Sequence, residues 1–187
     1  LFDLNKSTII TKIGSGSFGE VFKAKDKETG SIYAVKVSLK SFDENTNDDL
    51  LNLRREIIIA SKLNHPAIVK FIGFSPVDFK GESRPVIVSE FVSKGSLKYI
   101  LELERKALCD ISWDDTKKLI TLYGIASAMS YLHFHKIIHR DLKPENILMD
   151  DNLNPKICDF GFSKVNHIQQ ESLTTDSESD FKGTVLY

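Results

Sequence analysis

Cysteine is nearly missing from this chain. Cys109 and Cys158 are the only two in 187 residues; they are far apart and lack any paired metal-ligand spacing. Neither a disulfide framework nor a zinc site is suggested, and a reducing, cytoplasmic setting fits best. Long hydrophobic runs are missing too. The longest apolar stretches, such as "EIIIA" and "RPVIV", fall far short of the roughly 18 residues that a membrane span requires. No charged-then-apolar leader opens the chain. Nor does one sign of charge dominate: 25 Lys and Arg stand against 26 Asp and Glu, so no global basic field argues for nucleic acid or an anionic membrane surface. A partner of either kind is not expected. The chain starts at Leu1, not at methionine, and ends in the β-like run "GTVLY", so both ends look cut.

What is present is globular in character. A 41% hydrophobic content suffices for a core in one ordinary domain or two small lobes. From Ser7 to Leu39, short runs alternate apolar and polar residues, "TIITKI", "EVFKAKD" and "SIYAVKVSL". This pattern predicts three antiparallel strands with a hairpin turn over Lys27 to Gly30. Leu50, Leu53, Ile57 and Ala60 then fall on one face of a helix that begins near Asn47 or Asp48 and stops before Pro66. "AIVKFIGF" and "RPVIVSEFV" predict two more strands. After Val92 helix takes over. A short helix starts in "SKGSLKYILELE", and a longer one is expected to be capped by Ser112 with Asp115 as the capping-box partner. Leu119, Leu122, Tyr123, Ala126 and Met129 are expected on its buried face. The last stretch, "NHIQQESLTTDSESDFKG", is polar and rich in Ser and Thr.

Three groups of residues carry chemistry. "GSGSFGEV", Gly14 to Val21, has glycines at 14, 16 and 19. At ordinary glycine frequency three such positions coincide in roughly one of 3,000 windows. The motif reads either as a hairpin whose backbone amides close over phosphates or as a glycine-rich hairpin without a ligand. A dinucleotide-binding module falls away, because that fold opens a helix at the third glycine whereas Glu20 to Lys25 alternates as a strand. In "YAVKV", Lys36 reads as a solvated edge lysine, or as a half-buried ammonium matched by Glu56 on the following helix. "HRDLKPEN", His139 to Asn146, decides between these readings. Its five fixed residues, His139, Arg140, Asp141, Lys143 and Asn146, would coincide by chance in fewer than about one window per million. An ion-paired turn would explain Arg140 and Asp141 but not Lys143 and Asn146. "KICDFGFSK", 156 to 164, then places Asp159 where a short strand gives way to a turn.

Taken in order, these segments resemble the signature set of the eukaryotic protein kinases: glycine-rich loop, strand lysine, helix glutamate, H-R-D-L-x-x-x-N loop and D-F-G. The resemblance runs from about Ser7 to Tyr187. It implies an α+β, two-lobe fold: an N-terminal lobe over 1–92, with a small antiparallel five-stranded sheet and one C helix, and a mainly helical, incomplete large lobe over 93–187. It also implies an ATP- and Mg2+-dependent protein serine/threonine kinase acting on a protein hydroxyl. Lys36 would hold phosphates and pair with Glu56, Asp141 would accept the substrate proton, Lys143 would stabilise the transferred group, and Asn146 and Asp159 would bind magnesium. Phe160 would pack against His139 and the C helix region. Ile13, Gly14, Gly16, Gly19, Val21, Ala34 and Leu148 would surround the nucleotide. Glu90 and Val92 would bond adenine through their backbones, with Ser89 as the gatekeeper. Arg140 would pair with a phosphate on the following loop, where Ser172, Thr174, Thr175, Ser177 and Ser179 are candidates.

"LKPEN", Gly183 and Thr184 resemble the Ser/Thr form, and "HPAIVKFIGF" with "FVSKGSL" resembles the tyrosine-kinase-like group within it. The resemblance departs after Tyr187, where an A-P-E motif and several helices normally follow. Without them, apolar faces of the long helix would meet water, at roughly 25 cal/mol per Å². A catalytically inactive kinase-like scaffold is therefore the alternative, although every ligand residue is present.

Overall fold

The computed structural model describes residues 1–16, 19–41, 47–109 and 112–165. They form two compact units. The first contains Leu1–Asn64 and Val69–Ser93; the second contains His65–Ile68 and the chain from Lys94 onward. A division at 92/93 would place residues 65–68 with the first unit, but their contacts group them with the second.

The first unit is a five-stranded antiparallel sheet and one helix. The strands are β1 (Ser7–Gly16), β2 (Gly19–Asp26), β3 (Ile32–Ser38), β4 (Phe71–Ser75) and β5 (Val86–Glu90), in the order β1-β2-β3-β5-β4. Lys27 to Thr29 form the turn between β2 and β3. It is closed by Asp26, whose Oδ1 accepts the Glu28 and Thr29 amide protons at 2.9 and 2.7 Å, and by Gly30 at φ 72°. A strand presents alternate residues to opposite faces, and the two faces of β3 differ here. Val35 and Val37 point to a buried core with Leu4, Ala24, Val86 and Val88. Ala34 and Lys36 point the other way and are half-buried.

Helix α1 (Asn47–Lys62) starts and stops as the sequence predicts, but its most buried line differs. Ile59 and Leu63 are buried, with Leu53, Ile57 and Ala60 only half so. Glu56, Ile59 and Leu63 share that line at helical spacing. A carboxylate therefore occupies a place that a search for apolar residues skips.

In the second unit, α2 (Leu97–Arg105) is capped by Ser96, whose side chain accepts the Tyr99 amide proton at 3.2 Å. Helix α3 (Asp115–Phe134) departs from expectation twice. Its N-cap is Asp114, which accepts from the Lys117 amide at 2.7 Å, and not Ser112. Trp113 causes the delay. It is buried and donates its indole N–H to Glu104 of α2, so the chain turns helical only after it. The buried line of α3 is also not the apolar one: Leu119, Leu122 and Tyr123 are 67, 63 and 77% exposed, and Ala126 is exposed as well. Thr121, Ala128 and Leu132 are buried instead. Gly124 lies on the same line, so close to Pro155 that a Cβ there would sit 2.6 Å from the proline Cγ. Small residues let the helix approach its neighbour, and small residues carry little hydrophobic signal.

The rest of this unit is short strands. β6 (Ile137–Ile138) pairs with β9 (Lys164–Val165), and β7 (Ile147–Met149) pairs with β8 (Pro155–Ile157). Segment 65–68 attaches to β8 through Ile157 N–H to Ala67 O at 2.9 Å. The core packs Leu97, Ile100, Trp113, Ile147, Met149 and Leu153. Among the described residues, no helix is long and apolar enough to cross a membrane.

Candidate active site

The sheet of the first unit brings five of the expected residues together. Val21 lies opposite Lys36, and Ala34 lies opposite Ser89. Directly opposed residues share a face, as do residues two apart on one strand. Val21, Ala34, Lys36 and Ser89 therefore line the half-buried face of the sheet, opposite the Val35 core. Glu56 reaches Lys36 from α1, with 3.0 Å between Nζ and Oε1. Their side chains are 26 and 14% exposed. At that burial the pair fixes where the ammonium points more than it adds to stability.

The glycine motif is built into the hairpin itself. Gly14 and Gly16 belong to β1 and pair with Val21 and Gly19. Because β2 begins at Gly19 as a strand, no helix opens there and the dinucleotide reading is closed. Gly19 has a packing reason to be glycine, since a Cβ would lie 2.4 Å from the Val37 carbonyl oxygen. Ile13 sits at a register shift of β1 and is 46% exposed. Val92 is buried. Glu90 ends β5 with its amide donating to Lys70 O at 2.9 Å and its carboxylate accepting from the Lys70 amide at 2.8 Å.

In the second unit the H-R-D stretch folds back on itself. The Asp141 carboxylate is buried and takes two bonds at the same oxygen, Oδ2. Lys143 Nζ approaches at 2.8 Å and Asn146 Nδ2 at 2.9 Å. Asn146 Nδ2 also donates to the Asp141 main-chain oxygen at 2.9 Å. Both amide hydrogens thus face Asp141, and the amide oxygen is the side of Asn146 left to act as a ligand. The spacing has a local cause: Pro144 opens a single 3-10 turn, Pro144–Asn146, that brings Asn146 back over Asp141.

His139 ties this loop to the D-F-G segment. It is fully buried. Nε2 donates to Cys158 O at 3.1 Å, and Nδ1 accepts from the Asp141 amide at 3.3 Å. Only a neutral ring protonated on Nε2 makes both bonds. Burial is the main force holding its pKa below the usual histidine range, against the raising effects of the Cys158 carbonyl and of Asp159 and Asp141. Phe160 stacks edge-on against it, with ring centroids 5.2 Å apart. Cys158 in turn donates its amide to Asn146 O at 2.9 Å, which brings Asp159 to within one residue of the Asn146 backbone.

Two residues here have left-handed backbones: Arg140 at φ 65° and Asp159 at φ 64°. Such a conformation costs about 1–2 kcal/mol outside glycine, less for Asp. Arg140 is held there partly by a bond from Nε to Phe162 O at 2.9 Å. Asp159 takes the left-handed backbone that Asp tolerates better than most residues, and it is also a carboxylate beside the Asp141 loop. Leu148 lies half-buried in β7, between buried Ile147 and Met149. The candidate phosphate acceptors Ser172, Thr174, Thr175, Ser177 and Ser179 lie outside the described residues, as do Gly183 and Thr184.

The residues were legible in the sequence as a set, but not how they touch. The Asn146 bond to Asp141, the two-sided His139 and the use of the Glu90 side chain were not foreseen. An Asp-x-x-x-x-Asn spacing across a proline turn was the available signal for the first.

The family assignment rests on the whole chain. Residues 7–187 match the family model described as "Protein kinase domain", and the chain belongs to that family. It is 32% identical over 184 residues, 98% of this chain and 21% of the relative, to "Serine/threonine-protein kinase fused" of Drosophila melanogaster. It is 38% identical over 154 residues, 82% of this chain and 22% of the relative, to "NUAK family SNF1-like kinase 1" of Homo sapiens. With "Cysteine-rich receptor-like protein kinase 14" of Arabidopsis thaliana the identity is 34% over 182 residues, 96% and 26%. The chain thus spans about a fifth to a quarter of the length of these curated relatives. These relatives do not narrow the family to the tyrosine-kinase-like group.

Proposed function

We propose that this chain carries the catalytic residues of a protein serine/threonine kinase, which transfers the γ-phosphoryl group of ATP to a protein hydroxyl. The observation that carries the reading is the Asp141 carboxylate, buried and held at one oxygen by both Lys143 and Asn146. Phosphoryl transfer asks a protein mainly for alignment and charge neutralisation. Asp141 orients the substrate hydroxyl and takes its proton. As the hydroxyl oxygen bonds to the γ-phosphorus, the bond from that phosphorus to the bridging oxygen breaks and ADP leaves. Lys143 lies beside Asp141 and offsets negative charge on the transferred group. Lys36, oriented by Glu56, binds the α- and β-phosphates, and the amides of the glycine hairpin cover them. Val21 and Ala34 offer an apolar face to the base.

The donor chemistry suits magnesium. Among the described residues, no group of three or more His, Cys, Asp or Glu could hold a metal. One carboxylate, Asp159, and one amide oxygen, from Asn146, form the sparse oxygen set that Mg2+ accepts when phosphates and water complete its shell. Magnesium bound there would neutralise phosphate charge. The free cysteines suit a cytoplasmic setting.

The test is phosphate transfer by the full-length protein against Asp141→Asn and Lys36→Met, with the phosphorylated residue identified in the product. A loss of about 10²- to 10⁴-fold is expected for Asp141→Asn, with Ser or Thr as acceptor. Equal turnover in all three proteins would refute the assigned roles.

A further inference from the structure

Where β4 and β5 end, their pairing changes character. Phe71 faces Ser89 in the ladder, and the next pair outward is Lys70 with Glu90. A hydrogen-bonded antiparallel pair normally exchanges two backbone bonds. One is made as usual, Glu90 N–H to Lys70 O at 2.9 Å. The other runs from the Lys70 amide to Oε1 of the Glu90 side chain, at 2.8 Å. A carboxylate stands where the residue's own carbonyl stands in a regular ladder. Phe91 is also held from its side chain, with Lys23 Nζ 4.5 Å from its ring centroid, and Val92 is buried. Side chains thus anchor three successive residues just where the sheet stops.

We infer that the Glu90 carboxylate is a positioning group for the nucleotide base. By taking the Lys70 amide proton, it lets the main chain of 90–92 leave the direction of β4 while staying tied to it, in the orientation a purine edge requires. This rests on the reading above, in which the Glu90 and Val92 backbones bond adenine. It adds a role for the Glu90 side chain, which faces β4 and would touch no nucleotide. If the carboxylate is lost, the Lys70 amide turns to the residue 90 carbonyl, the group the base needs. A charge-assisted bond of this kind, exposed to solvent, changes affinity by about fivefold.

The experiment is steady-state transfer by the full-length protein with ATP varied. Glu90→Ala should raise KM for ATP about fivefold, with the loss in KM and not in kcat, and should narrow the preference for ATP over GTP. Glu90→Gln keeps an oxygen that accepts the Lys70 proton and should recover most of the affinity. Lys70→Pro removes the donor at a strand-edge position that tolerates proline; it should itself raise KM, and Glu90→Ala should then add nothing. An unchanged KM in Glu90→Ala, a Glu90→Gln variant as impaired as Glu90→Ala, or fully additive effects of Glu90→Ala and Lys70→Pro would each overturn the inference. Failure of the underlying reading looks different, because transfer would then survive Asp141→Asn and Lys36→Met.

Discussion

Replacing Gly124 by alanine sets two effects of known size against each other. Gly124 lies inside α3, where glycine is worse than alanine by about 1 kcal/mol, so on helix propensity alone Gly124→Ala stabilises. The added Cβ, however, would stand 2.6 Å from Pro155 Cγ and 3.2 Å from its Cδ, where carbon atoms prefer about 3.5–4.0 Å. Pro155 cannot swing aside. Its ring is part of the backbone of β8, it is buried, and β8 is bonded to β7 and to Ala67. Either α3 or β8 must move, and overpacking of this kind costs about 1–3 kcal/mol. The steric effect wins. Set against the gain of about 1 kcal/mol, we expect a net loss of up to about 2 kcal/mol and a Tm lower by up to about 8 °C, read by calorimetry on the complete domain. Pro155→Ala removes the clashing atoms and should restore most of that loss in the Gly124→Ala background. A rise in Tm for the single variant, or a double variant no better than the single, would refute the close approach of α3 to β8.

Two further outcomes follow from the helix start and the buried histidine. Asp114→Ala should cost about 1 kcal/mol of stability as a lost N-cap, and Ser112→Ala less than about 0.5 kcal/mol; urea midpoints in the reverse order would place the cap at Ser112. His139 is neutral in the fold because burial lowers its pKa, so the unfolded chain binds the extra proton near its ordinary value of 6.5. Its contribution is complete above about pH 6.5 and is lost as pH falls from there toward the lower folded value. Tm measured against pH should therefore fall more steeply in acid than for His139→Gln; parallel curves would remove His139 from the explanation. His65, whose pKa is likewise lowered by burial, acts in the same direction and is unchanged in that comparison.

How far the sequence reached depends on what kind of signal each feature leaves. The sheet and α1 were legible because alternation and helical spacing are written in large apolar residues such as Val35, Val37, Val86 and Val88. The buried side of α3 was not legible, because close approach to β8 is achieved by Thr121, Gly124 and Ala128, which have little apolar area to display. Leu119, Leu122 and Tyr123 on its other side drew the eye instead. The site divides in the same way. Residue types at fixed spacing single out His139, Asp141, Lys143 and Asn146, and the resemblance they carry extends to Lys36 and Asp159. Their contacts are set by the backbone, and the backbone is coded weakly.

The left-handed turns show why. Arg140 and Asp159 both take a conformation that glycine would adopt at lower cost, yet neither is glycine. At each position the side chain or its neighbours do what glycine could not: Arg140 reaches Phe162 O, and Asp159 presents a carboxylate next to the residue whose carbonyl receives the His139 proton. His139 is the common point. One nitrogen is bound to the Cys158 carbonyl, just before Asp159, and the other to the amide of Asp141, so the ring sets the spacing between the Asp141 loop and the segment that carries Asp159. A larger or charged ring there would move both carboxylates at once.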